Sequence, residues 1–252
     1  MSGPVLADTG NLLLGALSDA DRALLEPHFE RVKIEREQVF VTANEPIEHV
    51  YFPESGIASI VSETEENGRT EVGIFGYEGM SATALLLGDG LSPHETFMQV
   101  DGTDALRIGA DRFIGAVEES PTLRRLMLRY AQTLLVQASQ CAVGNARHRI
   151  ESRLARWLLM CHDRSEGNEI ALTHEFMSMM IGAERSGVTV SLHILEGAGM
   201  IRSKRGKVVI LDREGLKELA AGSYGQPEAE YRRLIGPFGH SAPVLPLEKA
   251  AA

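Results

Sequence analysis

Hydrophobic and polar positions change period several times along the chain. The segment NLLLGALSDADRALLEPHFER reads as short helical pieces, with Ser18 as N-cap before acidic first-turn residues and Pro27 as the limit. From about 31 to 109 the pattern shifts to short runs rich in Val, Ile, Phe and Tyr: VKIEREQVFV, HVYFPESGIASIVSE, RTEVGIFG and TFMQVDGTDALRI. Turn residues separate them at 44–46, 53–56, 66–68, 89–90 and 101–102, and Glu66-Asn67-Gly68 is the sharpest hairpin marker. Val50 and Phe52, then Ile57, Ser59 and Val61, alternate as in a half-buried sheet. This texture predicts an antiparallel barrel or sandwich.

From about 110 the period becomes helical. After Pro121, apolar residues recur at three- and four-residue steps over about 24 residues, a rod of roughly 36 Å. Such a rod is either a buried core helix or one that pairs with its symmetry mate. In the second case its seam would run through Leu123, Leu126, Met127, Tyr130, Leu134, Gln137, Ala138 and Cys141. RHRIESRLARWLLMC, 147–161, starts a second helical region with Ile150, Leu154, Trp157 and Leu158 on its apolar face, and a polar loop follows at 162–168.

Residues 172–199, LTHEFMSMMIGAERSGVTVSLHILEGAG, predict two helices across a short turn. Thr173 caps the first, about 174–181; Gly182 interrupts; the second spans about 185–196 and stops at Gly197 and Gly199. Helix, turn, helix at this length suits a reader of the DNA major groove, and equally an ordinary helical hairpin. The second helix would turn Arg185, Ser186, Thr189 and His193 outward, and Thr173 at the start of the first is a further candidate DNA contact. An arginine there can pair with guanine, and hydroxyls can reach phosphates or bases. The next segment favours the DNA reading: RSKRGK, then VVILD, forms a hairpin with Arg202, Lys204, Arg205 and Lys207 around Gly206. A basic hairpin beside such a helix is a wing.

Charge supports this locally. The 252-residue chain has a formal charge of −10, yet it is unevenly spread. Residues 1–140 hold 10 Lys/Arg against 22 Asp/Glu, whereas residues 141–220 hold 12 against 10. An acidic unit thus precedes a mildly basic one, and DNA binding depends on the local face. The two cysteines, Cys141 and Cys161, have no metal or disulfide spacing, which fits a reducing, cytoplasmic setting. No signal peptide or membrane span is expected. Eight scattered histidines form no metal motif, and no phosphate-binding loop, dinucleotide fingerprint or nucleophile elbow is present, so no enzymatic activity is expected.

The order of these parts resembles the catabolite activator/fumarate-nitrate regulator (Crp/Fnr) superfamily of bacterial transcription regulators. The resemblance covers roughly 12–220, including GYEGM at 76–80, the long helix, the helix-turn-helix and RGKVVILDREGLKELA. It implies an α+β chain: an N-terminal cyclic-nucleotide-binding-like β-roll (jelly roll), a long dimerisation helix and a C-terminal winged helix-turn-helix. The implied division is 1–109, sensor; 110–145, helical connector; 146–220, DNA-binding domain; 221–252, a partly disordered extension with a short helix near 227–235. It also implies a homodimer on a near-palindromic duplex, with RNA polymerase as a further partner. A hinge near Gly144-Asn145 would reorient the winged domains. Arg185 matches the family's base-reading arginine; Ser186 stands where many members carry a glutamate, and Val190 where activator-type members carry a second arginine.

For the sensor, the resemblance places Met80, Ser81 and Ala82 near the ribose-holding motif, with His94 and Glu95 where an Arg-Ser pair would hold a cyclic phosphate. Glu95 repels a phosphate and a histidine replaces a fixed guanidinium poorly, so cyclic AMP is disfavoured and an unknown small-molecule effector is left open. No cysteine precedes Cys141 to hold an iron–sulfur cluster, and His49, His94 or Met80 alone make a weak case for haem. Two alternatives remain at this stage: a cyclic-nucleotide-responsive regulator, and a signalling protein whose winged helix binds protein.

Overall fold

In the computed structural model, which describes residues 5–64, 68–100 and 102–240, the chain has the expected α+β organisation. Helices α1 (Leu12–Gly15) and α2 (Asp19–Leu25) come first, and the Ser18 side chain caps α2 by accepting from the Asp21 N–H. Seven strands follow: β1 (Glu30–Lys33), β2 (Val39–Val41), β3 (His49–Pro53), β4 (Ile57–Thr64), β5 (Gly68–Phe75), β6 (Glu95–Val100) and β7 (Asp104–Gly109). They form two antiparallel sheets, ordered β1-β7-β3 and β2-β6-β4-β5. β4 and β5 pair from Ala58↔Phe75 to Thr64↔Gly68. The expected hairpin turn at 66–68 lies, Gly68 apart, outside the described residues, as does Asp101 of the expected 101–102 turn.

The expected alternation in β3 does not hold: Val50, Tyr51, Phe52 and Pro53 are all buried. Both faces of this strand are covered. Phe52 meets Phe29 and Phe113 of the helical layer, while Tyr51 stacks on Phe40. The β4-β5-β6 sheet is likewise covered twice. Ala58, Phe75 and Met98 join the core of the roll. Ile57, Val61, Ile74 and Phe97 join a second core with Trp157, Cys161 and Met180 from the C-terminal half.

Helices α3 (Ala110–Glu119) and α4 (Pro121–Arg147) lead out of the roll. α4 runs unbroken through Gly144-Asn145, so the expected hinge is not there. The chain instead becomes extended at His148 and Arg149, before α5 (Ile150–His162). The C-terminal unit continues with β8 (Glu169–Ile170), α6 (His174–Ile181), α7 (Arg185–Gly197), β9 (Ile201–Lys204), β10 (Lys207–Ile210) and α8 (Arg213–Leu219); its sheet is ordered β8-β10-β9. Helix α9 (Gln226–Leu234) then packs along α4. Residues 236–240, expected to start a loose tail, are held: Phe238 is buried against Tyr231, and the His240 N–H donates to Asp163. Residues 241–252 lie outside the described residues.

Candidate nucleic-acid interface

The turn between α6 and α7 is built by local chemistry. Thr173 Oγ1 accepts from the Phe176 N–H at 3.2 Å and so starts α6. Gly182 closes it with φ +55, a left-handed conformation that glycine adopts at little cost. α7 then buries Val188, Ser191, Leu192 and Leu195. The opposite half of its circumference, at 100° per residue, runs from Arg185 and Thr189 through Ser186 and His193 to Val190 and Ile194. Arg185, Ser186, Val190, His193 and Ile194 are exposed. Thr189 is half-buried, donating to the Arg185 carbonyl at 3.0 Å and lying 3.3 Å from His174 Nδ1, which lowers its freedom to meet a ligand.

The wing turns at Arg205-Gly206, with Gly206 at φ +74. Arg202, Lys204 and Arg205 are exposed and form no ion pair among the described residues. Lys207 differs: its Nζ sits 2.5 Å from Glu169 Oε1, which offsets part of its charge. Thr173 is placed as a cap with its hydroxyl engaged by the backbone.

The long helix corrects one expectation. Leu123, Met127, Tyr130 and Gln137 are buried within the protomer, and Leu126, Leu134, Ala138 and Cys141 are half-buried. Tyr130 donates to the Met80 carbonyl at 3.1 Å, and a Cβ at Gly79 would overlap its ring. Gln137 mimics a strand, accepting from the Ile74 N–H at 2.6 Å and donating to the Ile74 carbonyl at 3.1 Å. Cys141 Sγ receives the Arg156 guanidinium. Periodicity located the most apolar face, and that face covers the protomer's own roll. The outward face carries Leu128, Leu135 and Ala142 at seven-residue spacing, with Leu128 43% and Leu135 62% exposed. That spacing was the available sequence signal.

Between the two cores lies a polar network that the sequence did not reveal. Glu71 Oε2 accepts from Trp157 Nε1 at 3.1 Å and from Ser59 Oγ at 3.4 Å. Burial raises the Glu71 carboxyl to about 7, against the pull of Trp157, Arg156 and Arg164. Arg164 Nε donates to Glu78 Oε1 at 2.8 Å, both side chains being 3% exposed. Burial opposes the Arg164 charge, but Glu78 holds it firmly protonated. Tyr231, in α9, donates to the Glu78 carbonyl at 2.6 Å. The roll, α5 and α9 thus meet at the GYEGM segment.

A cavity of about 430 Å³ opens in the roll, lined among others by Ile60, Met80, Ala82, Leu87, Asp89 and His94. His94 Nδ1 is buried and has no hydrogen-bond partner among the described residues. Among them no lysine or arginine lines this cavity. Of the expected pocket residues, Met80, Ala82 and His94 line it. Ser81 instead accepts from the Tyr51 N–H at 2.9 Å, and Glu95 is paired with Arg69, so neither reaches the cavity. Among the described residues no helix is long and apolar enough to cross a membrane.

Residues 152–219 match the Crp-like helix-turn-helix domain. Over 106 residues the chain is 30% identical to the transcriptional regulator SdrP of Thermus thermophilus, a match covering 40% of this chain and 52% of that protein. The chain thus spans about half the length of this curated relative. Its fold is similar to that of a transcriptional regulator of the Crp/Fnr family from Eubacterium rectale, with a TM-score of 0.66, 18% identity and coverage of 83% of this chain and 98% of that one. FixK2 from Bradyrhizobium japonicum gives a TM-score of 0.64 at 16% identity, covering 76% and 96%.

Proposed function

From a chain whose residues 152–219 match the Crp-like helix-turn-helix domain and whose fold is similar to that of Crp/Fnr regulators, we propose a homodimeric, sequence-specific DNA-binding regulator of transcription of the Crp/Fnr type. The observation that carries this reading is the exposed arc of α7 beside the unpaired wing cations Arg202, Lys204 and Arg205. In the proposed complex α7 enters the major groove, Arg185 pairs with a guanine, and Ser186 and His193 contact bases or phosphates. The wing lies against the phosphates. Thr173, Thr189 and Lys207 act chiefly by holding the framework, since each already has an internal partner.

The dimer seam in this reading follows Leu128, Leu135 and Ala142 of α4, an exposed apolar stripe among polar neighbours that the protomer's own roll does not cover. Two α4 helices about a two-fold axis would set the two α7 helices about one duplex turn, roughly 34 Å, apart. The β-roll cavity is the proposed effector site. Its apolar lining, the acid Asp89 and the lack of a lysine or arginine favour an uncharged ligand that hydrogen-bonds His94 over a cyclic nucleotide.

Mobility shifts on genomic fragments test the reading. Retarded bands are expected, with affinity falling steeply as salt rises, because neutralised phosphates release counterions. Absence of any shift at low salt, with the winged unit capturing only protein, would support the alternative of a protein-binding module.

A further inference from the structure

The exposed arc of α7 is half polar and half apolar. Arg185, Ser186 and His193 occupy one side. Val190 and Ile194, four residues apart, form a continuous apolar edge on the other, 57% and 47% exposed. Among the described residues nothing covers them, although α7 has a fully buried face for its other aliphatic residues. The edge belongs to the mildly basic half of an acidic chain, with Arg185 on the same helix and Arg202, Lys204 and Arg205 exposed on the wing that follows it. An apolar protein partner would not call for those cations, whereas a duplex supplies both phosphates for them and apolar groups in its major groove. The only apolar group exposed on base-pair edges there is the thymine 5-methyl.

We propose that Val190, backed by Ile194, packs on thymine methyl groups and so sets the sequence preference of α7. This rests on the DNA-binding reading above. Val190 lies five residues beyond Arg185, about 7.5 Å along the axis. The methyl it contacts therefore falls roughly two base-pair steps from the base that Arg185 reads. The operator preference becomes a guanine and a thymine at fixed spacing in each half-site. Valine has no donor with which to read a guanine in the place of a second arginine.

The test selects duplexes from a random-sequence pool with the full chain and compares each with copies in which single thymines are replaced by uracil. That change removes only the 5-methyl. One thymine per half-site is expected to weaken wild-type binding about fourfold when replaced, the worth of one buried methyl-sized group. The same replacement should be neutral for the Val190→Ser, Ile194→Ser double variant, whose altered residues lie on the surface. Two results overturn the proposal: uracil is neutral at every position for the wild type, or the double variant keeps the wild-type sensitivity. If a duplex is enriched and uracil is neutral, only this inference falls. If the pool yields no enriched duplex, the DNA-binding reading falls with it.

Discussion

Glu71 shows how a single residue joins the two halves. Its carboxyl faces Trp157, Ser59, Arg156, Arg164, Cys141 and Cys161, and burial lifts it from the ordinary 4.5 of a glutamate to about 7. Between those values the native chain keeps a proton that the solvated state releases. The stability from this group is therefore fully present below about 4.5 and is lost as pH rises toward 7, on the order of 3 kcal/mol in all. Undocking of the winged unit would hydrate Glu71, so raising the pH from about 4.5 toward 7 should favour undocking. Trp157 is the chain's one tryptophan and touches this carboxylate. Its emission should move to longer wavelength as pH rises through about 7 in the wild type and stay fixed in Glu71→Gln; equal titration of both would refute the assignment. For the interface, Arg185→Ala should cost about 1–3 kcal/mol of specific binding and much less nonspecific binding. Lys204→Ala should weaken both alike and reduce the salt slope by about one. Arg185 and the wing cations were legible because exposure and charge go together in such segments. Glu71–Trp157 and Glu78–Arg164 were not, because their partners lie 86 residues apart and no local pattern links them.

At the scale of elements, most of the sequence reading survives contact with the structure. The helix-turn-helix spans His174–Ile181 and Arg185–Gly197, near the expected 174–181 and 185–196, because Thr173, Gly182 and Gly199 punctuate it. The strands fall where the Val, Ile and Phe runs stand. Two expectations fail for the same reason: a periodic pattern tells which face is most apolar, not what covers it. β3 is buried on both faces because a helical layer and the roll interior enclose it. In α4 the strongest stripe serves the protomer's own core, and the weaker Leu128–Leu135–Ala142 stripe, the proposed dimer seam, stays exposed. Leu135→Glu should therefore turn the dimer into a monomer in sedimentation experiments without altering the melting of the protomer. A matching loss of fold, or an unchanged dimer, would count against the seam. No break falls at Gly144-Asn145 because a glycine with helical neighbours on both sides can stay in the helix; the extended pair His148-Arg149 ends α4 instead.

For the whole molecule, the β4-β5-β6 sheet is the shared wall of two hydrophobic cores. Its inner face belongs to the core of the roll and its outer face seats the helix-turn-helix unit. The buried Arg164–Glu78 pair and the α9 contacts fasten the same joint. In the proposed reading this wall is the route from cavity to α7: a ligand that changed the packing on one face would alter the seating on the other and shift the population between dispositions of the winged unit. The sequence could not reveal this joint, since each half reads as a complete unit by itself. The account rests on two α7 helices acting together on one duplex. A hydroxyl-radical footprint of the full chain on a selected duplex measures that directly. Two protected patches centred about 10 base pairs apart, with two chains per duplex, are expected; a single patch with one chain per duplex would contradict it.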